Sequence, residues 1–577
     1  MSARDPIPPI WTTGTTEVYK TGTWRASLPR HIHAPAPCHV ACPVNHDIPE
    51  WIGRARARDF RGAWEVLVRN NAFPAISGRV CHHPCETACN RAGYDEPLSI
   101  RKLERYIGDC AIAEGWMFPP VDVSQAEKIA VIGGGPSGLS AAFELRRRGY
   151  AVTLFEARAE LGGVMRYGIP AYRLPRSVLD GEIARIVTLG VEVRCNAPLA
   201  SADAFERLRA QYDAVYVATG AARPKRLPAL DYGEPQVVDG ADYLAAANAG
   251  APPLLGHRLA VVGGGSAAID VARTARRAGH DVVILALEGA GELPAQREEL
   301  AEALDEGIDL RHGTMVARAT PVAAGGLALD CVRVRFERSA QYGRFTVTPV
   351  PDSEFALAVD AIVTAIGQDP DLDLLPPALA RAGSLIKVDQ RQATAIEGVY
   401  AGGDVASMAR FVTEAIGMGK RAAVEIERAF HARAANAGAG GRADAGGRAD
   451  AGGRAGAAGP GDTAAPAEAV VGIGTINTFY YEPQARADVK PLEPAERLKG
   501  SVEVQPGFDL DQALAESTRC FSCGTCIDCD NCVIYCPDLA IRREPGGYVV
   551  LADYCKGCGL CVKECPTGSM KMVEERR

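Results

Sequence analysis

The chain of 577 residues is too long for a single hydrophobic core and predicts several domains. Its hydrophobic content of 47% is ordinary for globular protein, no apolar run reaches the ~20 residues of a membrane span, and the amino terminus has no basic-then-apolar leader, so a cytoplasmic protein is expected. A net charge of −8 argues against nucleic acid as a partner. Most of the 18 cysteines fall into two groups spaced C-x2-C and C-x3-C, a pattern of metal or iron–sulfur ligation rather than of a secreted disulfide framework.

Residues 1–125 read as a helical domain. They carry Cys38-x3-Cys42-Pro43, Cys81-x3-Cys85-x3-Cys89 and the helically periodic stretch from Leu98 to Trp116. His31, His33, His39, His82 and His83 lie nearby, but five cysteines in this arrangement fit no common zinc spacing. The histidines are expected to have no ligand role.

Residues 126–248 open with an apolar run, Ile129 to Ile132, then Gly133-x-Gly135-x-x-Gly138, an amphipathic helix and a second run ending in Glu156. The glycines permit a tight turn, close approach of backbone to a pyrophosphate, and packing of helix on strand. The diphosphate belongs at the helix N-terminus, and Glu156 is placed to accept from a ribose hydroxyl. The stretch Ala214 to Gly220 predicts a buried strand entering a tight turn. Residues 249–354 form a second nucleotide unit with Gly263-x-Gly265-x-x-Ala268. Residues 355–431 are expected to return to the first unit through Ala361 to Gln368 and Val399 to Ala406, followed by a helix.

Residues 432–469 are Gly, Ala, Arg and Asp and read as a flexible linker. A connector, 470–515, follows, with the stretch from Gly474 to Pro483 expected to dock back on the nucleotide-binding body. Residues 516–577 contain Cys526-x2-Cys529-x2-Cys532-x3-Cys536-Pro537 and Cys555-x2-Cys558-x2-Cys561-x3-Cys565-Pro566. In each such run the fourth cysteine ligates the other cluster. One 4Fe–4S cluster is therefore expected on Cys526, Cys529, Cys532 and Cys565, and another on Cys536, Cys555, Cys558 and Cys561.

These motifs carry three resemblances. The doubled cysteine run resembles bacterial two-cluster ferredoxins, an α+β fold. The two nested glycine fingerprints resemble the two-dinucleotide flavoprotein reductases, with two nested α/β Rossmann-like domains. That resemblance implies FAD on Gly133, Gly135, Pro136, Ser137, Gly138, Glu156, Gly162, Gly163, Gly220, Gly403, Asp404 and Thr413. It implies a nicotinamide dinucleotide on Gly263, Gly265, Ser266, Ala268, Glu288 and Gly367. The amino-terminal cysteines resemble those of the glutamate synthase small subunit and of the first part of dihydropyrimidine dehydrogenase, which carry two 4Fe–4S clusters there.

This chain departs from the last pattern, because no cysteine precedes Cys38. The missing pair matches Arg519-Cys520-Phe521-Ser522-Cys523. The expectation is that the tail folds back, so that one cluster uses Cys38, Cys89, Cys520 and Cys523. The other would use Cys42, Cys81 and Cys85 with Glu104, at a position where related proteins place a carboxylate or amide ligand. In the competing reading Cys520 and Cys523 are unused and three or fewer clusters form. Cys110, Cys195 and Cys331 are left as ordinary buried thiols.

Related NADPH enzymes carry an arginine pair where this chain has Leu287 and Glu288, which favours NAD(H). Arg273, Arg276 and Arg277 are expected on a solvated helix face. The whole layout, with its start from Gly14 to Arg25, resembles the NAD-linked flavoprotein subunit of phenylglyoxylate dehydrogenase-type 2-oxoacid oxidoreductases. That implies a thiamine-diphosphate partner complex. It also resembles the NADH-dependent donor to dissimilatory sulfite reductase, and the glutamate synthase small subunit, whose homologues lack this tail, is a third reading. A non-catalytic electron-transfer scaffold is the reading from a different class.

Overall fold

The computed structural model describes residues 25–323, 325–339, 345–440, 469–545 and 547–575. The start from Gly14 to Trp24 and most of the linker, 441–468, lie outside them.

Helices dominate the amino-terminal domain: Ile48–Arg56, Phe60–Leu67, Pro74–Val80 and Ile100–Ala113 are the main ones. Trp51, Ile52, Trp64, Leu67, Leu103 and Ile107 form its core. Pro74–Val80 and Ile100–Ala113 cross at glycine. A Cβ on Gly78 would overlap the backbone of Arg105, and one on Gly108 would overlap the backbone of Ala75. Contact this close brings Cys81, which caps the first helix, towards Glu104 on the second.

The first nucleotide unit is a parallel sheet in the order Val399–Ala401, Ala214–Val217, Lys128–Ile132, Ala151–Phe155, Glu192–Arg194. The second is a parallel sheet in the order Asp309–Arg311, Asp281–Leu285, Arg258–Val262, Ala361–Thr364, Val237–Asp239. Three antiparallel strands, Thr314–Pro321, Leu327–Arg338 and Phe345–Val359, follow within it.

The sheets divide the chain elsewhere than at the expected 248 and 354. Val237–Asp239 and Ala361–Thr364 both pair inside the second sheet, on the far side of its first strand, Arg258–Val262, one segment coming before that strand in the chain and the other well after it. The crossing lies instead at Arg223–Pro224 and Gln368–Asp369, paired antiparallel. The closing helix, Val412–Gly440, packs on Pro136–Arg147, where a Cβ on Gly419 would overlap the Ser137 carbonyl. It runs beyond residue 431 into the stretch read as linker.

In the carboxy-terminal domain a hairpin, Ile541–Glu544 with Gly547–Val550, accompanies two short helices. Its last strand, Met570–Glu574, pairs with Ser27–His31, so both ends of the described chain share one sheet. Among the described residues no helix is long and apolar enough to cross a membrane.

Candidate flavin, nicotinamide and iron–sulfur sites

The first fingerprint is shaped for a bound diphosphate. Gly133 has φ +110°, and a Cβ there would overlap the Ala218 carbonyl. A Cβ on Gly138 would overlap the Gly133 carbonyl, which is the close helix-to-strand contact the third glycine allows. The helix Pro136–Arg147 starts with proline at its first turn, where no N–H is lost. Glu156 is buried and accepts from the Gly134 N–H at 2.8 Å and the Arg158 N–H at 2.9 Å.

Gly162 donates to the Gly134 carbonyl (2.8 Å), and a Cβ on Gly163 would lie 2.8 Å from Gly135 Cα. The Ser137 and Tyr216 hydroxyls are 2.6 Å apart. Gly220 has no atom within 4 Å of a Cβ position, so its surroundings leave room for a ligand. Gly403 has φ +76°. Burial pushes the Asp404 carboxyl up, against the pull of Arg410. Glycine cradle, acid and open space together fit FAD.

The second fingerprint repeats this geometry. A Cβ on Gly263 (φ +141°) would come within 2.5 Å of the Ala365 carbonyl, and Ala268 packs against Gly263. Gly265 caps the helix Ser266–Arg277, and Gly367 (φ +102°) lies beside the crossing strands. The Glu288 carboxylate lies over Gly264, 2.5 Å from a Cβ position there, as that of Glu156 lies over Gly134. Burial pushes the Glu288 carboxyl up.

The cysteines gather in four groups. Burial pushes the Cys38 thiol well up, and the neighbouring thiols of Cys520, Cys89 and Cys523 push it further. Cys520 rises to about 11 and Cys523 to about 12, burial again leading. The Cys523 sulfur accepts from Asn90 Nδ2 at 3.4 Å and the Cys520 sulfur from the Ser522 N–H at 3.4 Å.

Cys42 rises to about 11 through burial, with Glu104 adding, and Cys81 to about 12 through burial, with Glu104 and Cys42 adding. Burial, Cys42 and Cys81 raise Cys85. Glu104 is buried among them, accepts from Asn71 Nδ2 (3.1 Å), and is lifted by burial to about 8. Among the described residues no arginine or lysine pairs with it, and His46, whose Nδ1 lies 3.8 Å from Oε1, is lowered to about 3 by burial, so the position suits a carboxylate facing a cation.

In the carboxy-terminal domain a cavity of about 20 Å³ is lined by Cys526, Cys529, Cys532 and Cys565. Cys561 rises to about 12 through burial and then the thiols of Cys555, Cys536 and Cys558. The Cys555 and Cys536 sulfurs accept from the N–H groups of Gly557 (3.4 Å) and Ala540 (3.2 Å).

Raised thiols describe the metal-free site, and iron would displace their protons. Among the described residues no three His, Cys, Asp or Glu converge tightly enough for a metal ion. Four thiolates that each bind a separate iron of a cubane from outside stand wider apart than four around one ion, so these groups fit clusters better than zinc.

The sequence reading missed several residues. Asn90 joins the Cys523 sulfur to the Val471 carbonyl (2.8 Å). Thr413, expected at the flavin, has its hydroxyl 3.5 Å from the Cys81 sulfur. Nothing in the spacing signals either contact. Arg273 is fully buried on Glu302 and Glu306, and Arg277 stacks on Tyr172, so the expected solvated face is an interior ion-pair network. Acids on the next helix explain it. Cys331 is buried as expected, whereas Cys110 and Cys195 are only half-buried.

The stretch 470–483 docks on the amino-terminal and ferredoxin domains rather than on the nucleotide-binding body. Tyr94 donates to the Tyr481 carbonyl (2.5 Å) and Asn477 Nδ2 to the Lys563 carbonyl (2.8 Å).

Residues 127–419 match the pyridine nucleotide-disulphide oxidoreductase family, and the chain belongs to it. Residues 30–116 match the dihydropyrimidine dehydrogenase domain II, 4Fe–4S cluster family, and residues 548–571 a 4Fe–4S binding domain. The protein is thus an oxidoreductase of the FAD- and NAD(P)-dependent class with iron–sulfur modules at both ends.

Three relatives fill out that class. The NADP(+)-dependent formate dehydrogenase subunit beta of Moorella thermoacetica is 35% identical over 85% of this chain and 70% of its own length. The NAD-dependent dihydropyrimidine dehydrogenase subunit PreT of Escherichia coli is 34% identical over 68% and 90%. The glutamate synthase [NADPH] small chain of Azospirillum brasilense is 30% identical over 69% and 87%.

Proposed function

We propose that the chain passes electrons between NAD(H) and a partner oxidoreductase by way of FAD and four 4Fe–4S clusters. The partner would be a thiamine-diphosphate 2-oxoacid oxidoreductase of the phenylglyoxylate dehydrogenase type, for which the chain reduces NAD+. When bound, FAD exchanges electron pairs with the nicotinamide, and each cluster carries single electrons.

The contact that carries this reading is Thr413 to Cys81, because it puts the N-terminus of the flavin-side helix against the first cysteine group. The same helix meets Pro43 at Gly417, and Lys420 donates to the Val44 carbonyl (3.0 Å). From there the proposed ligand sets follow one another. Cys42, Cys81, Cys85 and Glu104 come first, joined through the helix Pro37–Ala41 to Cys38, Cys89, Cys520 and Cys523. Tyr481 bridges the second set to the third, Cys526, Cys529, Cys532 and Cys565, by donating to the Phe521 and Pro566 carbonyls. The fourth set, Cys536, Cys555, Cys558 and Cys561, ends in an exposed Cys558.

NAD(H) is favoured by Glu288, which repeats in the second unit the place of Glu156 in the first and would repel a 2′-phosphate. A second reading takes a formate dehydrogenase catalytic subunit as partner, and similarity to the Moorella subunit over 85% of the chain favours it.

Anaerobic mixing with NADH tests the core of the proposal. Rapid bleaching of the flavin, then of the broad iron–sulfur absorbance, is expected, with NADPH slower. An unchanged spectrum would leave only the scaffold reading. Partners separate in a coupled assay: phenylglyoxylate- or formate-driven NAD+ reduction by the co-purified complex.

A further inference from the structure

The strand Ser27–His31 belongs by sequence to the amino-terminal segment, yet it pairs with Met570–Glu574, His31 lying opposite Met570. The Ile32 N–H continues the pairing to the Ser569 carbonyl (2.8 Å). This pairing carries His31 into the wall of the cavity lined by Cys526, Cys529, Cys532 and Cys565. The ring is held edge-on to Tyr548, with centroids 5.8 Å apart at 77°. Its Nδ1 and Cε1 edge faces Gly547, at 3.1 and 3.0 Å from a Cβ position there.

Nε2, on the other edge, is buried and has no hydrogen-bond partner among the described residues. A buried N–H without an acceptor is disfavoured, so the position makes sense when something in the cavity accepts. Sulfur in an iron–sulfur cluster is such an acceptor, and hydrogen bonds to it move the reduction potential.

We propose that His31 donates Nε2–H to a sulfur of the cluster on Cys526, Cys529, Cys532 and Cys565 and thereby raises that cluster's potential. This rests on the ligand set given above. A donor from the far end of the chain makes the potential of this cluster depend on docking of the amino-terminal strand. His31 is a positioning and tuning residue, not a ligand.

The test is an anaerobic, EPR-monitored redox titration of the full-length protein, with iron and sulfide quantitation alongside. In His31→Phe, which keeps the ring volume, one midpoint potential falls, the other three stay, and iron content is unchanged. In His31→Gln, which keeps an N–H donor, that potential stays closer to the parent. Unchanged potentials in His31→Phe, or a common shift of all four, overturn the proposal. Cys532→Ser separates the two layers. If its iron content and spectra match the parent, the ligand set itself is wrong, whatever His31 does.

Discussion

Cys526, Cys529, Cys532 and Cys565 come from one small domain, whereas Cys38 and Cys89 meet Cys520 and Cys523 only because two distant segments dock. In the first case two tight turns and a hairpin set the geometry. In the second it is set by an interface, and that interface is polar. Arg91 donates to the Arg519 carbonyl (2.5 Å), Arg519 to the Glu96 carbonyl (2.8 Å), and Glu516 accepts from the N–H groups of Ser99 (2.7 Å) and Ala487 (2.8 Å). Such buried charged bonds specify one docked geometry, since each unsatisfied alternative is costly. Local cysteine runs make a site robust, and a split site ties cluster assembly to domain closure.

The strongest challenge to that contrast is removal of residues 516–577. Three of the four proposed clusters should go, with iron falling from about sixteen atoms per chain to about four and FAD retained. Iron and sulfide quantitation reads it directly. Cys523→Ser should remove only the split cluster, about four irons, and leave the ferredoxin EPR signals in dithionite-reduced protein intact. NADH should then reduce those clusters slowly.

The nucleotide units offer a parallel contrast. Leu287→Arg with Glu288→Arg should move the NADPH-to-NADH ratio of kcat/KM by about 2 kcal/mol, or roughly 30-fold, towards NADPH, measured by flavin reduction.

A smaller effect is expected at Asp95. Burial alone would raise its carboxyl, but hydrogen bonds from Arg91 and from the Gln484 and Glu96 amides outweigh burial and hold it well below the usual range. Its contribution to docking is therefore complete above the unfolded value of about 4 and is lost as pH falls through the lowered one. Asp95→Asn should cost about 1–2 kcal/mol at pH 7, and less in acid, in denaturant melts of the full chain. Least affected would be Thr413→Val, which removes the hydroxyl beside Cys81. A drop of about 20–40 mV in one cluster potential is expected, the equivalent of one weak hydrogen bond.

What the residues made legible was whatever repeats locally. Glycine fingerprints, the strands beside them and the doubled cysteine run all fold within a few tens of residues, and spacing alone reveals them. The proposed grouping of Cys38 and Cys89 with Cys520 and Cys523 is readable only through a family pattern with one piece displaced, and the four thiols lie near one another in the fold. The sheet of Ala361–Thr364 is not legible, because an apolar strand fits either parallel sheet equally well and only its partners decide. Arg273 looked solvated because its acids, Glu302 and Glu306, lie a whole strand and helix further on. His31 carried no signal, since its role depends on a strand pairing across the length of the chain.

Asn90 and Cys523, in contact in the folded protein, are 433 residues apart. At 5–20 residues per second a ribosome needs roughly 20 to 90 s to pass from one to the other. For that interval the newborn amino-terminal domain holds Cys38 and Cys89 without Cys520 and Cys523, and iron delivered early would find only half of the proposed ligand set. If the proposed split cluster forms, its insertion has to wait for the end of translation, and the last sixth of the polypeptide then acts as the release signal for cofactor loading in the first.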